Sequence, residues 1–169
     1  MDTYLERLHR ELEETMAAIG PGGDSSDQQG KWTSTQVLEH LYLTYLNTNK
    51  GLGKCLTDGE PRGTAATLRQ RVGALLVVHA GYLPKGRKSP ERAVPKGMTR
   101  DEVRRLILIE LQQMETGLAE CERKFGPRAK ILDHPALGPL NVAEWRKFHW
   151  VHGKHHARQI RERAGKTGV

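Results

Sequence analysis

Residues 145–159 read WRKFHWVHGKHHARQ and hold four of the chain's eight histidines. Wound as a helix at about 100° per residue, Trp145, Phe148, His149, His152, His156 and Ile160 share one stripe. A helix ordinarily fills such a stripe with apolar side chains that face a core. Here three of its positions carry imidazoles. His152 and His156 stand one turn apart, the spacing by which a helix offers two ligands to one divalent metal. A lone histidine on an apolar stripe is usually a core residue bonded to a carbonyl. Two at i, i+4 are harder to dismiss, because burying each leaves ring nitrogens that need partners. The glutamate of an HExxH motif is absent, so the spacing does not specify a peptidase. His155 leaves the helix about 60° or more from the pair and flanks it.

Outward from this helix, the chain is a series of amphipathic helices. Asn141, with Glu144 three residues on, caps the histidine helix, expected over 141–163. Before it, the segment DHPALGPL at 133–140 reads as a turn-rich connection. Thr99 and Glu102 form a capping box for a helix over 99–125, with Val103, Leu106, Ile107, Leu111, Met114, Leu118, Cys121 and Phe125 as its stripe. Thr33 and Gln36 form another for a helix over 33–56, with Val37, Leu38, Leu41, Tyr45 and Leu52 facing inward. His40 falls at the flank of that stripe, and periodicity alone does not bury it. A first helix over 3–19 repeats Leu5, Leu8, Leu12, Met16 and Ile19, and residues 24–30 read as a mobile polar loop. An accessory helix is expected over 62–80, with Leu68, Val72, Leu75, Leu76 and His79 on its stripe. Three prolines make 82–97 an extended ordered loop. The reading is all-α: a four-helix bundle with a short accessory helix and a Pro-rich loop, in one domain over 1–169.

Composition narrows the function. A hydrophobic fraction of 37% and no apolar run near 20 residues exclude a membrane span. Residues 1–14 have no apolar core of a signal peptide, which points to the cytoplasm. Cys55 and Cys121 form no CxxC pattern and read as small buried residues. The net charge of +7 permits attraction to acidic small molecules or nucleic acid. That charge is richest at 85–92 and 154–166. No zinc-finger spacing or RNA-binding aromatic motif accompanies it, so nucleic acid is not expected as a partner.

Two segments together carry a resemblance. One is WTSTQVLEH at 32–40. The other is HPALGPL at 134–140, followed by Glu144-Trp145 and the HGKHHARQI of 152–160. These resemble the DinB/YfiT-like superfamily of metal-dependent proteins. The resemblance implies a four-helix bundle in which His40, His152 and His156 hold one divalent ion, nickel or zinc. Three imidazoles would leave coordination positions open for water or substrate. It further implies a metal-dependent transferase or hydrolase acting on a small-molecule substrate, a low-molecular-weight thiol as cosubstrate, and a homodimer. The alternatives are a non-catalytic metal-binding, stress-associated bundle and a basic nucleic-acid-binding bundle. His149, His155 and Trp145 are candidates for outer-shell or substrate contacts, with His149 equally readable as core filler. Glu39 precedes His40 but points about 100° away, which disfavours it as a base. Because ligands must be neutral to bind, metal affinity is expected to fall as pH drops through ~6.5.

Overall fold

The computed structural model describes residues 2–19, 31–84 and 88–164. The loop expected over 24–30 and the start of the basic run at 85–92 lie outside the described residues. The described residues form α1 (Thr3–Ala18), α2 (Ser34–Asp58), α3 (Leu68–Ala74), α4 (Arg100–Phe125) and α5 (Val142–Ala164), with a two-stranded hairpin, β1 (Leu132–His134) and β2 (Gly138–Leu140). The chain is therefore mostly helical. No helix among the described residues is long and apolar enough to cross a membrane.

Local chemistry sets the helix ends. Thr33 accepts from Gln36 N while the Gln36 side chain returns to the Thr33 backbone, and Thr99 with Glu102 does the same. Asn141 Oδ1 accepts from Glu144 N at 2.9 Å, and Glu144 Oε2 accepts from Asn141 N at 2.7 Å. Gly59, at φ +78°, closes α2 in the left-handed conformation that glycine adopts at least cost. The stripes of the first two long helices pack as their spacing dictates: Leu5, Leu8, Leu12, Met16 and Ile19, and Val37, Leu38, Leu41, Tyr45 and Leu52, are all buried. On α4 the inward row is Val103, Ile107, Leu111, Met114, Leu118 and Cys121.

The four long helices share one core. α2 lies chiefly against α4, and α1 against α5, while α2 also meets α5 and α4 meets both α1 and α5. Small residues set two of these approaches. A Cβ at Gly153 would lie 2.3 Å from Leu8 Cδ1, so α1 seats its leucine directly on the backbone of α5. A Cβ at Gly117 would lie 3.1 Å from Leu52 Cδ1 where α4 meets α2. Arg146, nearly buried on α5, joins it to α4 through Glu115 (3.0 Å) and Glu122 (2.8 Å), a pairing that burial of the guanidinium requires.

Two expectations are corrected. The accessory helix does not begin at 62: Arg62 N donates to Ile131 O and Gly63 N to Lys130 O, so this stretch runs extended beside the approach to β1. A Cβ at Gly63 would come within 2.2 Å of Lys130 O, which is why a glycine sits there. The helix starts at Leu68, capped by Thr67, and finishes as a π-helical turn, Leu75–His79. Its expected inward stripe faces out. Leu68, Val72, Leu75 and Leu76 are 78, 50, 60 and 44% exposed, while the adjacent Val77 and Val78 are buried. The wider turn lets two consecutive valines point inward, which a 3.6-residue period does not anticipate. The second correction is at 132–140, which pairs in register, Leu132 with Leu140 and His134 with Gly138. Strands of three residues are too short to show a two-residue alternation in sequence.

The described parts of the proline-bearing loop, 82–84 and 88–97, form no regular element apart from a 3-10 turn at Glu91–Ala93. Glu39, on α2 and fully buried, collects its end: Oε1 accepts from Lys96 N at 2.6 Å and Oε2 from Gly97 N and Met98 N, each at 3.1 Å. The loop is thereby clamped over the N-terminal half of α2, where His40 lies.

Candidate metal centre

His40, 5% exposed, leaves α2 beneath this loop, while His152 and His156 leave α5 one turn apart. Each offers a ring nitrogen within 4.8 Å of the other two. His152 Nε2 stands 3.3 Å from His40 Nε2 and 3.1 Å from His156 Nε2. A tetrahedron with metal–nitrogen bonds of ~2.05 Å has edges of about 3.3 Å, so this separation suits a shared ion.

The outer hydrogen bonds decide which nitrogens face inward. The Ala93 carbonyl lies 2.7 Å from His40 Nδ1 and can only accept, so that nitrogen carries the proton and Nε2 presents a lone pair. Ser89 Oγ lies 3.3 Å from the same Nδ1. On α5, Gln159 Nε2 lies 3.1 Å from His155 Nε2 and donates to it, which turns Gln159 Oε1 onto His156 Nδ1 at 2.8 Å. His156 Nε2 therefore presents a lone pair as well. A proton on His152 Nε2 can serve one of these lone pairs and leaves the other without a donor; with that proton on Nδ1 instead, three lone pairs converge. A cation between them accepts from all three. This is the outer-shell arrangement that orients metal-binding imidazoles. His152 differs in that its Nδ1 is buried without a protein partner; its ring is held by stacking on Phe148, with centroids 5.4 Å apart.

Burial pushes all three imidazoles below the usual histidine value. His40 is lowered by desolvation, against the opposing bond to Ala93. His152 is lowered well below by desolvation and then by His156 and His40. His156 is lowered to about 3 by desolvation and then by His40. The folded chain thus keeps these imidazoles neutral below the ~6.5 of a free side chain, and protons compete for the site less than the sequence suggests.

The remaining candidates separate. His149 does not join the cluster. It is fully buried, with Nε2 3.3 Å from Thr48 Oγ1 and its ring between Tyr45 and Trp145, and burial lowers it to about 3. His155 holds Gln159 and so acts on His156 at second hand. Trp145 is buried at the cleft wall. Glu39 is a loop clamp. Cys55 and Cys121 are buried; burial raises both thiols, Cys121 to about 11, which leaves neither poised as a nucleophile.

Sequence reasoning missed Gln159, Ala93, Ser89, Trp32 and His134. Gln159 was within reach, being three residues from His156 and four from His155 on one helix. The Trp32 ring lies 5.2 Å from that of His40. His134 Nδ1 accepts from the backbone N–H groups of Ala136 and Leu137, at 3.1 and 3.2 Å, so its proton sits on Nε2. Its ring packs on Phe148, 4.5 Å between centroids, next to His152. These residues line a cleft of about 1180 Å³ over the histidine group, ample for a metabolite-sized ligand. The arrangement can hold a divalent ion and admit a small molecule beside it.

Comparison with known proteins bears on the chain as a whole. A family model described as "Protein of unknown function (DUF1569)" matches residues 11–163, a span that contains all three histidines. No curated protein and no solved structure matches the chain. With nine-tenths of its length matched by that model, the chain belongs to the DUF1569 family.

Proposed function

We propose that this protein is a metal-dependent enzyme of the DinB/YfiT-like kind, a four-helix bundle in one domain over 1–169, with one divalent ion held by His40, His152 and His156. The observation that carries the reading is the meeting of three Nε2 atoms, two of them with lone pairs fixed inward by Ala93 and Gln159. Imidazole ligands suit nickel and zinc alike. Three protein ligands leave open positions, the mark of a catalytic ion, and the adjoining cleft supports a small-molecule substrate. A bound ion would supply Lewis acidity, enough to generate hydroxide near neutral pH or hold a thiolate as an anion. The chain's own residues would bind and orient: Ala93, Ser89 and Gln159 aim the imidazoles, and His134 presents an N–H at the wall. Transferase chemistry with a low-molecular-weight thiol, or hydrolysis, is the reaction class this implies, in a cytoplasmic homodimer. The exposed apolar row of Leu68, Val72, Leu75 and Leu76 supports the assembly.

The test is metal content of untagged protein by mass spectrometry. Wild type should carry about one ion per chain; His152→Ala should lose it, with affinity down by orders of magnitude, and His155→Ala should keep most of it. Equal loading of His152→Ala and wild type refutes the assignment.

A further inference from the structure

We propose that the cleft over the three histidines takes a small organic anion, bearing a carboxylate or a phosphate, whose charged end is held by Lys31, Lys88 and Arg92; this rests on the metal reading above. Three groups cover the outer side of His40: the Trp32 ring at 5.2 Å, Ser89 Oγ at 3.3 Å and Ala93 O at 2.7 Å. Each has a basic residue as its chain neighbour. Lys31 precedes Trp32, Lys88 precedes Ser89 and Arg92 precedes Ala93. All three cations are exposed and all three line the cleft. Among the described residues none of them is engaged in an ion pair, whereas cations elsewhere are, as in Arg62–Asp58, Lys130–Glu144 and Arg161–Glu11.

Among the described residues one carboxylate, that of Asp133, lines the cleft against these three cations, so the lining stays positive. Asp133 Oδ1 accepts from Thr64 N at 3.0 Å and Oδ2 from Thr64 Oγ1 at 2.7 Å, so both oxygens are engaged. Arg92 is launched from a fixed point: Asn47 Nδ2 donates to its carbonyl at 3.0 Å within the 3-10 turn. Solvated surface lysines need no explanation singly. Three unpaired cations, each one residue from a group touching the same metal-site imidazole, focus a positive field into one concave site. A neutral ligand would gain nothing from them. An anion gains their attraction and, at Arg92, a planar fork matched to carboxylate or phosphate.

The experiment uses full-length protein loaded with cobalt(II), whose visible spectrum reports ligands entering the open positions. Inorganic phosphate and benzoate serve as anionic probes and imidazole as the neutral one, against wild type and a variant combining Lys31→Ala, Lys88→Ala and Arg92→Ala. These exposed substitutions should leave the circular dichroism unchanged. The expected result is that the anions bind roughly tenfold or more weakly to the variant at low salt, with imidazole unchanged. Added salt should weaken anion binding to wild type more than to the variant. Anion affinity equal in wild type and variant, or no anion binding by loaded wild type, overturns this inference and leaves the metal reading standing. A wild type that takes up no cobalt overturns both.

Discussion

Replacing Glu39 by Gln tests how the site is held. The perturbation keeps the shape of the side chain and exchanges one carboxylate oxygen for an NH2. In the fold the carboxylate accepts from three consecutive backbone N–H groups, those of Lys96, Gly97 and Met98, in a fully buried position. A carboxamide that keeps its oxygen on Gly97 and Met98 sets its NH2 against the Lys96 N–H, donor against donor, where 2.6 Å now separates donor and acceptor. One charge-assisted bond is lost and the other two become neutral, and bonds to charged groups are worth ~1.5–3 kcal/mol each. The expected loss of stability is ~2–4 kcal/mol, or a fall in Tm of about 4–16 °C for a chain of this size. The loop freed at 96–98 is the one whose Ala93 carbonyl orients His40, so metal affinity should fall by ~10–100-fold although no ligand has changed. Urea denaturation gives the first quantity and competition with a chelating dye the second; limited proteolysis should show new cleavage within 88–97. A variant within about 0.5 kcal/mol of wild type, the scatter of neutral surface changes, and with unaltered metal affinity, would refute the clamp.

Gly153→Ala should cost ~1–3 kcal/mol, because the new methyl meets Leu8 at 2.3 Å and Tyr45 Oη at 3.3 Å; an unchanged denaturation midpoint would show that α1 and α5 are not in this contact. Stability should also depend on acid. Burial lowers His149 to about 3 in the fold, against ~6.5 unfolded, so the unfolded chain takes up a proton that the folded chain refuses. Its contribution is therefore intact above pH ~6.5 and is lost as pH falls towards 3, at ~1.4 kcal/mol per unit; His149→Phe should flatten the slope, and midpoints that do not move between pH 7 and 4.5 would contradict the burial. For assembly, light scattering should give a dimer mass at micromolar concentration and a monomer for Leu75→Lys in the exposed apolar row of residues 68–76; a monomeric wild type ends that part of the proposal.

The sequence by itself determined what is local and periodic. The 3.6-residue repeat sorted the buried faces of α1 and α2 correctly, and that of α4 apart from Leu106 and Phe125, which are half-buried. Hydrogen bonds spanning three residues placed the caps at Thr33, Thr99 and Asn141, and the i, i+4 spacing set His152 and His156 on one side of α5. These signals survive in a bare sequence because each depends on residues within a turn or two of one another. On the accessory segment the inward face was misread: Leu68 and Val72 lie on a regular helix that buries no residue, and the π-helical turn of 75–79 turns Val77 and Val78 inward instead. The three-residue strands at 132–140 were too short to show a period. The tertiary structure alone decided the rest. His40 lies at the flank of its own stripe and is buried because α5 and the loop of 88–98 close over it, more than fifty residues away on one side and a hundred on the other. Glu39 looked idle for the same reason: its partners are backbone N–H groups, which carry no sequence signature, and only the path of the loop brings them to it. The inward lone pairs of the site follow from a carbonyl and an amide held by that packing, so the residue types suggest a group able to hold a metal and the fold aims it.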